Sequence, residues 1–390
     1  MRIGLVLSKT PGYSETFFIN KIKGLQEYGH EVFLFVQQKE ASFSLCNVIV
    51  APTIHKNSIY TAFSFIWTYF TLIFYPKPLM RFIYLELQYG RSIYQLLKNV
   101  YFNASLLKAQ LDWIHFGFAT LGLQREHVAK AIDAKMGLSL RGFDIAIYPL
   151  KHPECYSLLW NRVDKIHTIS EDLLLKAYET GLPKRTIIKK ITPAIDCLNF
   201  KNAIASYSDN NMPFKILTIG RLHWKKGYVD MLKALAIVKQ NGLKFTYTIL
   251  GEGLDYEKIA YAVHQFGLDK EVTFIGKVPH DKVGEYLSNT DIYLQYSISE
   301  GFCNAVLEAQ AMGCLCIVSD AEGLPENVLH EQTGWVVPKY NTQKLADTII
   351  LARQLSKESK QQIRKSAQER VLSVFNLDQQ AMAFNEFYIK

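Results

Sequence analysis

The stretch Asp291-Ile-Tyr-Leu-Gln-Tyr-Ser-Ile-Ser-Glu300-Gly-Phe-Cys-Asn-Ala-Val-Leu-Glu308 passes from a strand pattern into a helix pattern. Residues 291–297 alternate as a strand does, and the apolar positions in residues 305–312 recur at helical spacing until Gly313 ends the helix. Glu300 is therefore expected in a strand-to-helix loop, with Asn304 as the helix cap. A strand–loop–helix unit of this kind is typical of α/β folds.

Two carboxylates flank the start of this predicted helix. Seven residues separate Glu300 from Glu308, and a rise of about 1.5 Å per residue places Glu308 about one turn along the helix. The free N–H groups and the positive dipole end of a helix N-terminus favour a diphosphate. We therefore predict that the two carboxylates hold opposite ends of one ligand, with its phosphates between them.

A second unit of the same kind lies upstream. Residues 214–220 read as a buried strand and residues 228–239 as a helix, and the loop between them contains Arg221 and Lys226. Arg221 offers a planar fork and Lys226 a movable point charge, both suited to phosphate oxygens. The alternative is a solvated turn with ordinary surface cations.

Several ordered phrases give the second half of the chain a family likeness. They are Gly220-Arg221-Leu222, Lys226-Gly227, Leu250-Gly251-Glu252-Gly253, Val272-Thr-Phe-Ile-Gly-Lys-Val278, Glu300-Gly-Phe through Glu308-Ala, and Gly323-Leu-Pro-Glu326 to Gly334. This set resembles the retaining glycosyltransferases of family 4. The resemblance implies an α/β fold of the GT-B type, with two facing Rossmann-like domains, parallel sheets and an inter-domain cleft.

The same resemblance implies roles for individual residues. Arg221 and Lys226 would bind the diphosphate of a nucleotide-sugar donor, Glu308 the ribose hydroxyls and Glu300 the transferred sugar. The remaining donor contacts would come from the backbone at Phe302, Cys303 and Asn304, and from Val278 near the base. From packing considerations alone, Cys303 is also a small apolar residue that fills space.

The first half of the chain opens as a βαβ unit. A strand at the N-terminus leads through a turn at Gly12 into a helix that ends near Tyr28, and residues 29–36 form the second strand. Gly12 allows close approach of a phosphate or acceptor, or is a flexible turn. Ser14-Glu15-Thr-Phe, together with Gly-His-Glu-Val after the helix, is similar to bacterial exopolysaccharide glycosyltransferases of the colanic acid and amylovoran type, so Ser14 and Glu15 are expected on the acceptor side.

Two further residues of the first half carry expectations. His115 ends an apolar run and matches the family histidine that faces the sugar across the cleft, although a lone histidine is more often structural. Arg141 stands where many relatives have histidine before Gly-x-Asp. An arginine there binds a phosphate or an acidic acceptor, or marks a subfamily that positions its acceptor differently.

Length and local composition indicate two domains. A chain of 390 residues exceeds what one core usually supports, and the polar segment at residues 201–213 is the best boundary. We expect an acceptor-binding domain at residues 1–205 and a nucleotide-sugar-binding domain at residues 206–375. A final helix at residues 376–390 would return to the first domain if the family pattern holds.

The charge and the distribution of apolar residues predict where in the cell the protein is located. The absence of a signal-like start and of paired cysteine spacing predicts a cytoplasmic protein with reduced thiols. Residues 58–75 contain no charge and eight aromatic residues, which favours a helix that packs on its domain or lies in a bilayer interface over a span. The net charge of +8 and a basic cluster suit the inner membrane leaflet, whereas no nucleic-acid motif accompanies them; the cluster is Lys184, Arg185, Lys189 and Lys190.

The expected chemistry is metal-independent transfer with retention at the anomeric carbon. No Asp-x-Asp motif occurs in the sequence, so the usual carboxylate anchor for a divalent metal is missing, and preorganised cations would stabilise the departing phosphate. The co-substrate would be a UDP- or GDP-sugar and the acceptor a saccharide, lipid-linked or free. Two alternatives stay open: a nucleotide-sugar epimerase of the same architecture, and a degenerate transferase subunit without activity.

Overall fold

The computed structural model describes residues 1–12, 16–40, 43–54, 58–197 and 212–389. The chain divides into two compact units, the first formed by Met1–Ile191 with Gln380–Lys390 and the second by Thr192–Gln379. The domain boundary expected between residues 205 and 206 lies outside the described residues.

The first unit is built on a parallel sheet. Its strands follow the order β3-β2-β1-β4-β5-β6-β7, and neighbouring strands all pair in parallel. The strands are β1 (Arg2–Val6), β2 (Glu31–Val36), β3 (Asn47–Val50), β4 (Trp113–Phe116), β5 (Lys135–Leu140), β6 (Lys165–Thr168) and β7 (Ile187–Lys190). The predicted βαβ opening is thus confirmed.

Helices lie in the connections between most of these strands, because parallel neighbours need crossover connections. They are α1 (Thr16–Glu27), α2 (Ser58–Leu72), α3 (Pro76–Gln88), α4 (Ile93–Leu107), α5 (Val128–Ala131), α6 (Tyr148–Lys151), α7 (Ser157–Trp160) and α8 (Glu171–Glu179). Three helices, α2 to α4, fill the connection between β3 and β4, where a single crossover helix would suffice. The additional helices therefore give the first unit a surface beyond what the crossover between these two strands requires.

The second unit repeats the plan. Its sheet has the order β10-β9-β8-β11-β12-β13 and is also parallel throughout. The strands are β8 (Phe214–Ile219), β9 (Phe245–Leu250), β10 (Val272–Gly276), β11 (Ile292–Gln295), β12 (Leu315–Ser319) and β13 (Trp335–Val337). The helices are α9 (Tyr228–Gln240), α10 (Tyr256–Gln265), α11 (His280–Ser288), α12 (Asn304–Ala311), α13 (Leu324–Asn327), α14 (Thr342–Gln354) and α15 (Lys357–Val374).

The last helix, α16 (Leu377–Ile389), begins in the second unit and ends in the first. Its buried side chains Phe384, Phe387 and Tyr388 belong to the core of the first unit, beside Trp113. The indole nitrogen of Trp113 donates to the Tyr388 carbonyl at 3.2 Å. The C-terminal residues therefore complete a core that the first 191 residues leave open.

In each sheet the strand order reverses once, between β1 and β4 and between β8 and β11. Crossovers leave such a point in opposite directions, which opens a crevice at the carboxyl ends of the two strands. The loops after β8 and β11 contain Arg221, Lys226 and Glu300. The topology of the second unit therefore brings these predicted site residues to one edge of one sheet.

The structure bears on the prediction that residues 58–75 form a helix that packs on its domain or lies in a bilayer interface rather than a membrane span. The apolar run forms α2, and no single helix in the described ranges is long and apolar enough to cross a membrane. The pair α2 and α3 passes that test only jointly, and the two helices are bent by 111° at their junction.

Candidate functional site

Hydrogen bonds hold the loop after β8 to the start of the following helix and to the loop after β11. The hydroxyl of Tyr228, at the start of α9, donates to the Gly220 carbonyl at 2.9 Å. From the other loop, the Ile298 amide donates to the Lys225 carbonyl at 2.7 Å. The short turn that carries Lys226 is therefore fixed from both sides.

Gly227 allows the two loops to approach. It has φ of +66°, and a Cβ atom at this position would lie 2.1 Å from the Tyr296 carbonyl oxygen. Only glycine satisfies both the left-handed backbone and the missing space. The Lys226-Gly227 pair in the sequence thus combines a predicted site cation with the residue that positions it.

Lys226 forms an ion pair with Glu300. Its Nζ donates to Oε2 of Glu300, and each side chain is 16% exposed. The Ser297 hydroxyl donates to the same carboxylate oxygen at 3.2 Å. Burial is the largest influence on the pKa of Lys226 and acts to lower it, but the charge of Glu300, the hydrogen bond to Glu300 and the nearby Cys303 together outweigh burial and raise this pKa, so Lys226 stays protonated.

The backbone of Glu300 is held as firmly as its side chain. Its amide donates to the carboxylate of Glu322, in the loop after β12. Close by, a Cβ atom on Gly323 would lie 1.8 Å from the Gly301 carbonyl oxygen, so the two loops are in direct backbone contact. Glu300 is therefore presented by three loops of the second unit.

Arg221 differs from Lys226 in its freedom. The side chain is exposed, and within the described ranges it takes part in no ion pair. Its charge is nevertheless close enough to Lys226 to oppose protonation of that lysine. An additional anion between the two cations would relieve this repulsion.

The start of α12 is capped in a way the sequence did not predict. Asn304 is the first helical residue and Cys303 occupies the cap position without a side-chain cap bond, so the prediction of Asn304 as the cap is wrong. Instead, the Asn327 side chain accepts from the Cys303 amide at 3.0 Å and donates to the Cys303 carbonyl at 3.1 Å. Phe302 packs on Phe375 with ring centroids 5.6 Å apart.

Cys303 is a packing residue in this arrangement. It is 5% exposed, and burial raises the pKa of its thiol to about 12. A thiol in that state is a poor nucleophile. What Cys303 contributes to the site is its backbone position at the start of α12.

Glu308 pairs with a residue that the sequence reading left out. His280 Nε2 lies 2.9 Å from Glu308 Oε1, and the hydrogen bond to this carboxylate raises the pKa of His280. The histidine is 44% exposed and the carboxylate 9%. Val278, expected near a nucleotide base, precedes His280 by two residues, so its loop leads directly to Glu308.

The residues predicted to lie on the acceptor side belong to the first unit, and only some of them fall within the described ranges. Ser14 and Glu15 lie outside the described residues, and Gly12 is half-buried in the loop after β1. The Arg141 guanidinium lies 3.9 Å from the ring centroid of Phe17 and 4.6 Å from that of Phe18. Arg141 is therefore packed on aromatic faces, as cation–π contacts favour.

His115 occupies a buried network. Its side chain is 1% exposed in β4, with Nε2 at 3.1 Å from Lys21 Nζ and 2.8 Å from the Ser139 hydroxyl. The Tyr388 hydroxyl lies 2.8 Å from Nδ1. This position does not agree with the predicted contact between His115 and a sugar, because an enclosed ring with both nitrogens engaged offers a ligand no surface.

Burial also decides the charge states in this network. Desolvation, followed by the nearby charge of Lys21, holds the pKa of His115 well below its usual range. Desolvation, followed by Arg141, does the same for the pKa of Lys21. His115 is therefore neutral at pH 7, and burial disfavours the charged form of Lys21, as in a structural network.

Four residues of the second unit were missed by sequence reasoning: Ser297, Glu322, Asn327 and His280. Ser297 and Glu322 hold Glu300, Asn327 holds the start of α12, and His280 holds Glu308. Glu322 and Asn327 flank the Gly323-Leu-Pro-Glu326 phrase, which was the signal available for them. Nothing in the sequence joined Ser297 or His280 to the carboxylates.

The assembled site fits a ligand with a diphosphate and two polyhydroxylated ends. Lys226, Arg221 and the N-terminus of α12 supply positive potential, which phosphate oxygens require. Glu300 and Glu308 are acceptors for hydroxyl groups on either side. The structure brings these four side chains together on the second unit alone.

Comparison with known proteins gives the same reading. The family described as glycosyl transferases group 1 matches residues 199–370. The chain is 28% identical to the amylovoran biosynthesis glycosyltransferase AmsK of Erwinia amylovora over 259 residues, 64% of this chain and 62% of AmsK. It is 26% identical to the putative colanic acid biosynthesis glycosyltransferase WcaL of Escherichia coli K12, covering 96% of each. The resemblance stated from sequence motifs is confirmed.

Solved structures confirm the GT-B fold. HepE of Anabaena, determined with UDP and glucose, superposes with a TM-score of 0.73 at 17% identity, covering 99% of this chain and 98% of HepE. A glycosyltransferase from Rickettsia africae gives 0.72 at 18% identity, with 99% and 97% covered. At these identities the likeness concerns the fold.

We expect the Gly227→Ala substitution to destabilise the second unit by roughly 3 kcal/mol or more. The added Cβ atom would collide with the backbone of Tyr296, and alanine is strained at the left-handed φ of this position. The control is Gly267→Ala, where φ is +62° and a Cβ atom meets nothing within 4 Å. That variant should lose only about 1–2 kcal/mol. Urea unfolding measures both, and equal losses would show that the approach to Tyr296 is unimportant.

The His280–Glu308 pair predicts a pH-dependent stability. Since the folded-state pKa of His280 is raised, the pair's contribution is complete below the ordinary histidine pKa of about 6.5 and disappears as pH rises through the raised value. His280→Ala should therefore cost more in unfolding free energy near pH 5.5 than near pH 8.5, by at most about 1 kcal/mol for so exposed a pair.

The matched variant for that measurement is Glu308→Gln, which removes the carboxylate and leaves the histidine. It should abolish the same pH-dependent part of the stability. A cost of His280→Ala that stays constant between the two pH values would contradict the assigned ion pair.

Proposed function

We propose that the chain is a glycosyltransferase that moves a sugar from a nucleotide-diphosphate donor to a saccharide acceptor, which the match of residues 199–370 to the group 1 family supports. The observation that carries the proposal is the Lys226–Glu300 ion pair, set beside the start of α12 where the strand order of the second unit reverses. A crevice at this point is where open parallel sheets bind their ligands.

The diphosphate of the donor would lie between the two cations and the helix start. Lys226 keeps its proton because of Glu300, so it presents a full positive charge to a departing phosphate. Arg221 is exposed and free to bring its planar fork to the same oxygens. Negative charge grows on this phosphate as the glycosidic bond breaks, and preorganised cations lower the barrier to that step.

The two carboxylates would select and orient the sugars at each end of the diphosphate. Glu308, nearly buried and aligned by His280, accepts hydrogen bonds from the ribose hydroxyls. Glu300 does the same for the transferred sugar, with its position fixed by Lys226, Ser297 and Glu322. The expected donors are UDP- or GDP-sugars, and the expected stereochemical outcome is retention.

Exopolysaccharide assembly is the process that the sequence relatives support. The names of AmsK and WcaL refer to amylovoran and colanic acid biosynthesis. By analogy, the acceptor is a saccharide, and we place it on a lipid carrier at the inner face of the cytoplasmic membrane. In this arrangement the protein is cytoplasmic and attached to the membrane peripherally.

The first test is transfer itself. With UDP- or GDP-sugars and a lipid-linked saccharide acceptor, we expect a product one sugar heavier than the acceptor, detected by mass spectrometry. Activity should persist in EDTA, because protein cations replace a divalent metal at the phosphate. Loss in EDTA with rescue by manganese would contradict metal independence, and conversion of the donor sugar without any acceptor would instead indicate an epimerase.

The second test separates binding from transfer. Arg221→Ala and Lys226→Ala should each weaken UDP or GDP binding roughly 10- to 100-fold, the effect of losing a charge-assisted hydrogen bond. Glu300→Gln should keep the nucleotide affinity and lose transfer. Thermal shift with UDP and GDP measures the binding.

The control for this series is Lys233→Ala, which removes a cation from the exposed side of α9. Its nucleotide affinity should equal that of the unmodified chain. Unchanged affinity in both Arg221→Ala and Lys226→Ala would contradict the proposed diphosphate site.

A further inference from the structure

The outward side of α2 is an exposed apolar surface. Six large apolar side chains that recur at three- and four-residue spacing are each between 52% and 78% exposed: Ile59, Phe63, Ile66, Trp67, Phe70 and Phe74. We call this row, which runs into the turn after α2, the α2 face. Soluble proteins rarely expose a continuous apolar patch of this kind unless something binds it.

The other side of α2 is firmly packed, so the exposure does not come from a loose helix. The rings of Phe65 and Tyr101 stack with centroids 3.9 Å apart, and the Tyr101 hydroxyl bonds with the Ser64 hydroxyl at 2.8 Å. The Tyr69 hydroxyl donates to the Leu97 carbonyl at 2.7 Å. The helix is held against α4 and presents its second apolar side outward.

The neighbouring helices extend this surface. Met80 and Tyr84 of α3 are 63% and 64% exposed, and Ile93 and Tyr94 of α4 are 72% and 77% exposed. Tyrosine and tryptophan are the side chains that favour the headgroup level of a bilayer. The surface therefore has both the apolar area and the aromatic composition of an interfacial helix.

The charge around the α2 face has a single sign. Between Glu40 and Asp112 the sequence contains six Lys or Arg residues and one acid, Glu86. Glu86 is fully buried, where its carboxylate binds Asn99 at 2.6 Å and His127 at 2.8 Å. This segment consequently adds cations, and no exposed carboxylate, to the apolar surface.

Two acids from outside the segment reduce that charge in part: Glu126, which lies 3.4 Å from Arg91, and Asp133. Asp133 pairs with Lys77 at 3.5 Å and with Arg81. Lys77 is still 71% exposed, and the remaining basic residues of the segment include Lys98, beside the exposed Leu97 of α4. The surface thus keeps its positive sign.

We propose that the α2 face docks the protein onto an anionic lipid bilayer, with α2 lying in the interface plane. Apolar and aromatic side chains enter the headgroup boundary, and the surrounding cations attract acidic lipids. The bend of 111° between α2 and α3 suits a surface position. The inference rests on the proposed function, since a lipid-linked acceptor would lie in the same bilayer.

The charge pattern favours this occupant over two others. A second copy of the chain would bring the same positive segment against itself, and like charges oppose such pairing. An acidic protein partner would match the positive charge of this surface, but that charge match would not account for the row of outward aromatic residues. The basic cluster on the other edge of the sheet is weaker, because Lys189 and Lys190 pair with Glu386 and Glu171.

Vesicle sedimentation tests the proposal with the full chain at physiological salt. We expect binding to vesicles of phosphatidylglycerol and phosphatidylcholine, and at least tenfold weaker binding to phosphatidylcholine alone. The double variant Phe63→Glu with Trp67→Glu should bind the anionic vesicles at least tenfold more weakly. The control is Leu254→Glu, which adds a carboxylate at a side chain 99% exposed in the second unit and should bind as the unmodified chain does.

Three outcomes would overturn the proposal: no binding to anionic vesicles, equal binding of the double variant, or equal binding to both kinds of vesicle. A dimer in light scattering that the double variant abolishes, without vesicle binding, would instead assign the α2 face to a second copy. Thermal shift with UDP and GDP is measured in parallel. A double variant that keeps its thermal shift with UDP and GDP but no longer binds vesicles has lost docking alone. This result is therefore distinct from a failure of the transfer site.

Discussion

The contact between the loops after β8 and β11 is the constraint on which the candidate site depends. At Gly227 the two backbones are so close that a Cβ atom would lie 2.1 Å from the Tyr296 carbonyl oxygen. This contact places Lys226 within reach of Glu300, and the ion pair in turn fixes the loop that leads into α12. The cation, the carboxylate and the helix N-terminus therefore share one geometry, and a change at the glycine would displace all of them.

Two buried lysines show how the partner decides the charge. Lys226 lies beside the carboxylate of Glu300, whose charge and hydrogen bond, together with Cys303, more than offset desolvation and keep the ammonium ionised. Lys21 has no carboxylate beside it among the described residues, so burial, followed by the charge of Arg141, holds its pKa well below the usual range. Burial alone therefore does not distinguish a functional cation from a structural one. In the proposed function the first lysine acts on a phosphate, whereas the second is enclosed in the core of its unit.

The two units use their surfaces differently. The second unit concentrates buried polar contacts at the carboxyl edge of its sheet, where Glu300 and Glu308 are held by neighbouring side chains. The first unit carries three helices between β3 and β4, and these present apolar and basic side chains outward. Under the two proposals above, the second unit carries the chemistry and the first unit the attachment, so each surface has the composition that its role needs.

The sequence by itself determined the α/β class, the strands and helices around residues 214–240 and 291–312, and the set Arg221, Lys226, Glu300 and Glu308. Apolar periodicity and loop chemistry are local, so a short window of residues contains them. Only the tertiary structure decided that His115 is enclosed, that Asn327 rather than Asn304 bonds the start of α12, and that His280 and Glu322 hold the two carboxylates. It also decided that α2 exposes one of its two apolar sides. These outcomes depend on contacts between residues distant in the chain, and a pattern read along the sequence does not specify which distant side chains meet.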